Sequence, residues 1–178
     1  PHGSGNNELQ LHQDTDILLR GQRHPVQWRE AKFAHVSLQQ DSIHIALPAK
    51  AGLTQIKRAL KEFYLQEARK DIGLWLPKYL PAFPTAPLAI KVRALSSLWG
   101  SLSPGDGLLL DLSLVLGKAS AFEYVLVHEL CHLVHRNHSR SFWREVEKHF
   151  PDWREERRYL HSEGLMLKSE LNRLTKSV

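Results

Sequence analysis

The stretch VHELCHLVHRNH, from Val127 to His138, holds four of the eleven histidines of this 178-residue chain. A helix advances about 100° per residue, so His128 and His132 lie one turn apart on one face, and both imidazoles can reach one metal ion. Glu129 points to the side of that pair, where a carboxylate stands beside a metal-activated water without being a ligand. The H-E-x-x-H pattern therefore predicts a helix that carries a hydrolytic metal site.

A third protein ligand is expected from outside this helical turn, because hydrolytic zinc sites usually have three protein ligands and an open position. We predict His138, since Asn137 can adopt the left-handed conformation that ends a helix and Ser139 can cap the next one. His135 is the alternative. It returns to the face of the first histidine, but it starts two turns further along, and helical side chains lean back toward the N-terminus.

The alternative to a metal site is a core helix that is crowded with histidines. Apolar residues at Phe122, Leu126, Leu130 and Leu133 indicate that the helix is largely buried. Buried histidines need polar partners, and a metal ion is one. We therefore predict metal-assisted hydrolysis, with Glu129 as the general base for an activated water.

The group that would stabilise the oxyanion of such a reaction is not identified by the pattern. The groups considered are Tyr159, His161, His149 and the backbone around Gly100. Tyrosine and histidine in C-terminal helices are individually more often structural, so the sequence does not rank them.

Upstream of the histidine helix, the apolar pattern predicts strands, one long helix and further strands. Alternation between residues 17 and 48 predicts an antiparallel hairpin or meander. Its apolar positions are Phe33, Val36, Leu38, Ile43, Ile45 and Leu47. After Gly52 the period changes to three or four, which predicts a long helix with Thr54 as a possible N-cap, ending before Pro81. LAIKVRAL and GLLLDLSL are predicted strands, with a turn at residues 104–107 between them.

Three helices are predicted to finish the chain, at about residues 120–136, 139–150 and 152–175. The last one has a stripe with seven-residue spacing, formed by Trp153, Leu160, Leu167 and Leu174, with Gly164 and Leu171 between them. Such a stripe can pair with another chain, but over about three heptads we favour docking on its own domain.

Composition limits the class of protein. The content of 42% hydrophobic and 24% charged residues is that of a globular domain, and the longest apolar stretch is too short to cross a bilayer. Cys131 is the single cysteine, which excludes an internal disulfide and favours a buried packing role. The net charge of +5 supports nucleic-acid contact only weakly, because basic residues alternate with acidic ones.

We therefore predict one domain over residues 16–178, preceded by a cloning remnant and loose lead-in over residues 1–15. The expected location is the cytoplasm, the expected state is a monomer, and no membrane contact is expected.

The residues YVLVHELCHLVHRNHSRSFWREVEKHFPDW (124–153), with WGS at 99–101 and DLSL at 111–114, resemble the YgjP-like family of metal-dependent hydrolases, which is related to the SprT-like and WLM zinc metallopeptidases. The likeness extends more loosely over the rest of the chain. It implies an α+β, zincin-like fold: an N-terminal antiparallel or mixed sheet with a long helix, the H-E-x-x-H helix and C-terminal helices. It also implies one zinc ion per chain, bound by His128, His132 and His138, with Glu129 as the catalytic acid/base.

The chain departs from the family pattern around the WGS segment. Leu98 and Leu102 stand where relatives have a basic residue and a cysteine, and Asp111 replaces a usual asparagine. These changes bear on substrate recognition and on support for the site. The three-histidine spacing also equals that of metzincins, but His135 replaces their glycine and Met166 falls in a predicted helix.

The leading hypothesis is a zinc metallopeptidase, with the LWGSL strand as an edge for an extended peptide. A second is hydrolysis of another polar bond, such as a nucleotide phosphoanhydride, since the same metal chemistry serves phosphoryl centres. A third is a noncatalytic, zinc-stabilised module that binds protein or nucleic acid. The presence of Glu129 counts against the third, because a structural zinc site does not use that carboxylate.

Overall fold

The computed structural model describes Leu9 and residues 14–177, so most of the predicted lead-in lies outside the described residues. Leu9 itself is buried in the core. Asp14 also contacts the body of the protein, because its carboxylate accepts a hydrogen bond from Arg173 at 2.8 Å.

The first sheet is mixed. Its strands are β1 (Asp16–Leu19), β2 (Gln22–Glu30), β3 (His35–Gln39) and β4 (Ser42–Leu47), in the order β1-β2-β4-β3. The outer pairs are antiparallel, as the hairpin pattern predicted, whereas β2 and β4 run parallel. The expected inward positions on β4 are buried. Phe33 is not: it lies in the β2–β3 connection with 73% of its surface exposed, so its assignment to the strand was wrong.

The long helix α1 (Leu53–Tyr79) follows, and it ends before Pro81 as predicted. Its periodic apolar residues from Ile56 to Tyr79 are buried against the sheet and the later helices. The N-cap is Gly52 and not Thr54, because the carbonyl of Gly52 accepts the first helical N–H bonds. The buried hydroxyl of Tyr64 donates to the carbonyl of Leu18 at 2.8 Å and ties the helix to the first sheet.

A second sheet lies next to the histidine helix. It contains β5 (Ala89–Arg93), β6 (Gly100–Leu102) and β7 (Gly107–Asp111) in the order β5-β7-β6, so β6 is an edge strand. β5 runs parallel and β6 antiparallel to β7, and the predicted turn joins β6 to β7. After Asp111 the chain enters a 3₁₀ turn (Leu112–Val115), so the predicted strand GLLLDLSL is correct only in its first part.

The three C-terminal helices are α2 (Ala119–Cys131), α3 (Arg140–His149) and α4 (Trp153–Thr175). The predicted stripe on α4 is buried within the chain, where α4 packs against α1 and α2. Gly164 in that stripe allows a close approach, since a Cβ there would lie 2.5 Å from Trp99 Cζ2. Over the described residues, two sheets combine with four α-helices, which confirms the α+β class. None of the described helices is long and apolar enough to span a membrane.

Candidate metal centre

Three predicted histidines meet at the C-terminal end of α2. His128 lies in the last turns of the helix, His132 directly follows it, and His138 precedes α3. One ring nitrogen from each histidine lies within 4.8 Å of the others, and the Nε2 atoms of His128 and His138 are 3.3 Å apart. Over the described part of the chain, this is the one group of at least three side chains with metal-ligand geometry.

The backbone after α2 places His138 over the helix. The helix ends at Cys131, five residues before its predicted end, and the N–H groups of Val134 and His135 both donate to the Cys131 carbonyl in a tight turn. Asn137 does not have the left-handed conformation that was predicted for it, since its φ is not positive. Ser139 does cap α3, because its hydroxyl accepts from the Phe142 N–H at 3.3 Å.

His135, the alternative third ligand, contributes its backbone and not its ring. Its carbonyl oxygen lies 2.9 Å from His132 Nδ1. A carbonyl oxygen only accepts hydrogen bonds, so His132 carries its proton on Nδ1 and its Nε2 lone pair is available. In the tautomer of His128 that binds a metal through Nε2, the Tyr124 hydroxyl oxygen, 3.3 Å from Nδ1, is the corresponding acceptor.

An aromatic floor supports the three imidazoles. The fully buried ring of Phe142 stacks on His132 with 4.5 Å between ring centres, and it meets His128 and His138 edge-on at 5.0 and 4.9 Å. Trp143 lies roughly parallel to His138 at 6.1 Å. These contacts fix the ring orientations and exclude water from one side of the cluster.

The environment keeps the helix histidines neutral. Burial is the main cause that lowers the pKa of His128 to about 3, and the neighbouring His132, His138 and Arg157 contribute to the same shift. Burial also lowers the pKa of His132, although the bond to the His135 carbonyl opposes this shift. A metal ion binds the deprotonated imidazole, so these two rings are already in the ligating form at neutral pH.

Glu129 is buried beside the histidines, with 6% of its surface exposed. One carboxylate oxygen lies 4.0 Å from His128 Nε2, and burial raises the pKa of Glu129 to about 7. Strand β6 packs closely on this side chain. A Cβ at Gly100 would lie 3.0 Å from Glu129 Cγ and 2.9 Å from the Leu109 carbonyl oxygen, so glycine is required for this approach.

The cluster opens into a cleft of about 740 Å³ between α2, α4 and the edge strand β6. Of the groups considered for oxyanion stabilisation, His161 and Gly100 line this cleft. The other two lie elsewhere: Tyr159 Oη accepts from the Lys118 N–H, and His149 pairs with Glu145.

Sequence reasoning did not identify three further residues that line the cleft: Tyr124, Trp143 and Arg157. Tyr124 is four residues before His128 on α2, a spacing that would have placed it on the same helix face. Arg157 and His161 have the same spacing on α4. Only the packing of α4 across α2 brings that pair to the site.

A family model described as YgjP-like, metallopeptidase domain, matches residues 2–163. The chain belongs to the YgjP-like metallopeptidase family. Among solved structures, the metallopeptidase zymogen of Pyrococcus abyssi abylysin is similar, with 29% identity and a TM-score of 0.40 over 57% of this chain and 93% of that chain. A comparison with curated proteins found no match. The predicted family is therefore confirmed, and the domain is that of a metal-dependent peptidase.

The structure shows what the departures from the YgjP-like pattern do. Asp111 is fully buried, where it accepts the Leu95 N–H at 2.8 Å and pairs with Lys168 at 3.0 Å. Lys168 also donates to the carbonyls of Leu95 and Leu98, so this pair holds the segment that leads into β6. Leu98 lines the cleft and is 56% exposed, which gives this family member an apolar cleft margin.

The buried carboxylate of Glu129 is expected to make the stability of the metal-free protein depend on pH. Its pKa rises from 4.5 to about 7 on folding, so the folded chain holds a proton that the unfolded chain releases. Ionisation of Glu129 therefore lowers the free energy of unfolding. This reduction is absent below the lower pKa and reaches about 3 kcal/mol above the higher pKa. Glu129→Gln avoids this cost.

We expect the advantage of Glu129→Gln over wild type, in free energy of unfolding, to grow by about 2 kcal/mol between pH 5 and pH 8. Urea denaturation with excess chelator measures it. The titration of His128 is shared by both proteins and cancels in the difference. An equal difference at both pH values would show that Glu129 ionises in the fold without penalty.

Proposed function

We propose that this YgjP-like protein is a zinc-dependent peptidase in which His128, His132 and His138 bind one zinc ion and Glu129 is the general base. The observation that carries the proposal is the convergence of three imidazole nitrogens within 4.8 Å beside a buried carboxylate, in an open cleft. Three protein ligands with an accessible fourth side are typical of a catalytic zinc site, whereas structural zinc is usually closed by four ligands.

The donor set fits zinc. Nitrogen from neutral imidazole suits this ion, and the Nδ1 contacts of His128 and His132 direct their Nε2 atoms to a common centre. When bound, zinc supplies Lewis acidity that polarises a carbonyl group and lowers the pKa of water. The chain's own groups provide the proton transfers and the positioning of the substrate.

Glu129 is suited to move a proton in both directions. With a pKa raised to about 7 by burial, its carboxylate can accept a proton from the attacking water and return it to the leaving amine. Its packing against Gly100 limits side-chain motion, so the carboxylate stays beside the histidine cluster.

The free edge of strand β6 favours a peptide as the substrate. The Asp111 N–H donates to the Trp99 carbonyl, so residue 99 belongs to a hydrogen-bonded pair of the β6–β7 ladder. Residues of an antiparallel ladder alternate, so the N–H and C=O groups of Gly100 and Leu102 point away from β7. An extended peptide can pair with this edge, and the scissile carbonyl would then lie next to the histidines.

Cleavage of a mixed panel tests the bond class. Zinc-loaded wild type is incubated with unstructured peptides and with nucleoside triphosphates, and products are identified by mass spectrometry. We expect cleavage of peptides and none of the triphosphates. Release of phosphate without peptide cleavage would replace the peptidase proposal with phosphoanhydride hydrolysis. Stoichiometric zinc without any cleavage would favour the noncatalytic module.

A further inference from the structure

Arg157 is a cation that lines the cleft, and no described carboxylate forms an ion pair with it. Other arginines pair with carboxylates, among them Arg20 with Asp71 and, one turn before Arg157 on the same helix, Arg154 with Glu147. Within the described residues, no such acceptor lies at hydrogen-bond distance from Arg157. Exposed arginines without partners are ordinary on a protein surface, but this one lines the cleft beside the metal cluster.

Trp143 holds the Arg157 side chain in place. The guanidinium carbon lies over the indole ring, 5.3 Å from its centre. The ring itself is stacked on the buried Trp153 at 4.4 Å with an angle of 26°, so it is a rigid support. A guanidinium that lies on a ring uses its face for the contact, and its in-plane N–H groups remain available for a planar, two-oxygen acceptor.

The surrounding cleft favours an anion at this position. His161 lies one turn beyond Arg157 on α4 and also lines the cleft, and His138 lies beside the Trp143 support. Glu129 is the one carboxylate among the described lining residues, and it packs against Gly100 of β6. A negatively charged group of a substrate in this cleft would therefore meet a cation at Arg157 with no acidic side chain other than Glu129 in the lining.

We propose that Arg157, supported by Trp143 and assisted by His161, binds a carboxylate of the peptide substrate next to the metal centre. The carboxylate belongs either to an acidic side chain or to a free C-terminus, since both present the same two oxygens. The proposal rests on the peptidase function proposed above, and it names the substrate class of that same site: peptides that carry a negative charge close to the scissile bond.

Two matched pairs of peptides test the proposal. In the first pair, both ends are blocked and Glu replaces Gln at positions on either side of the cleaved bond; in the second, a free C-terminal carboxylate replaces an amide. We expect wild type to prefer the charged member of at least one pair by about tenfold in kcat/KM. The preferred pair identifies the source of the carboxylate.

Arg157→Gln is expected to reduce that preference ratio by about tenfold. The ratio is the informative quantity, because a folding or zinc defect lowers kcat/KM for both peptides of a pair by the same factor, and this factor cancels in the ratio. Arg158→Gln is the matched control: it removes the same charge from the next residue of α4, whose side chain does not line the cleft. It should keep the wild-type ratio.

Each result decides between the two proposals. If wild type cleaves charged and neutral peptides equally, or if Arg157→Gln keeps the preference, the carboxylate site is wrong while the peptidase stands. If wild type cleaves no peptide, the peptidase proposal fails. Peptide binding then tests the carboxylate site by itself. With fluorescein-labelled peptides of both pairs, the charged member of at least one pair should bind Glu129→Gln protein more tightly than its neutral partner, and adding Arg157→Gln should remove the difference. Equal binding of the charged and neutral members in both pairs would overturn the inference.

Discussion

Glu129→Gln is expected to lower kcat for peptide hydrolysis by about 10³-fold while the protein keeps about one zinc ion per chain. Glutamine has the same shape, so it preserves the close packing against Gly100, but it cannot accept a proton from water. The carboxylate is also not among the grouped ligand atoms, which are nitrogens of three histidines. Steady-state kinetics and metal analysis of the same samples measure the two effects together.

Glu147→Gln provides the matched control. It removes a carboxylate from the neighbouring helix α3, where Glu147 is exposed and pairs with Arg154. Its kcat should stay within about twofold of wild type, as for surface substitutions remote from a site. Equal turnover by wild type and Glu129→Gln would contradict the general-base role, whereas loss of zinc from Glu129→Gln would point to a ligand role for the carboxylate.

Much of the fold was predictable because periodicity reports burial directly. The long helix, the strands other than β6 and the starts of the C-terminal helices follow from it, since their apolar faces pack inward. The errors lie where local pattern does not report environment. Phe33 continues an alternating pattern into a connection where its ring is exposed. Thr54 is a good capping residue, but the helix has already begun at Leu53, with Gly52 as its N-cap.

The residues of the candidate site also differ in how far local sequence could predict their positions. His128, Glu129 and His132 are related by helix geometry alone, so their spacing indicated their proximity. Placing His138 with them required a turn, which was predicted correctly in effect but for the wrong reason: the helix ends at Cys131 and Asn137 is not left-handed.

Cleft residues that come from other elements were beyond the reach of spacing. Arg157 and Trp143 belong to α4 and α3, which reach α2 through long-range packing. The edge strand β6 is three residues long, too short for an alternating pattern to reveal it, and it was predicted as the LWGSL strand only together with the family resemblance. Long-range packing therefore determines which other residues line the cleft, whereas local sequence determines the histidines and the glutamate of the candidate metal site.

His138→Ala is expected to weaken zinc binding by at least about a hundredfold, whereas His135→Ala should change it by less than about threefold. Loss of an outer-shell partner already costs 10–100-fold in metal affinity, so loss of one of three ligands costs more. His138 is also largely solvent-exposed, so alanine leaves the core packing of Phe142 in place. Competition with a chromophoric chelator at pH 7.5 measures both affinities.

The comparison is informative because the structure assigns the two histidines different parts. His135 acts on the cluster through its carbonyl oxygen, which alanine retains, so the bond that orients His132 survives in His135→Ala. Equal zinc affinity in His138→Ala and wild type would reject His138 as a ligand. If His135→Ala alone lost zinc, the ring of His135 would have to be the third ligand in place of His138. The turn after Cys131 would then have to rearrange on metal binding. Circular dichroism of both variants without zinc separates these outcomes from unfolding.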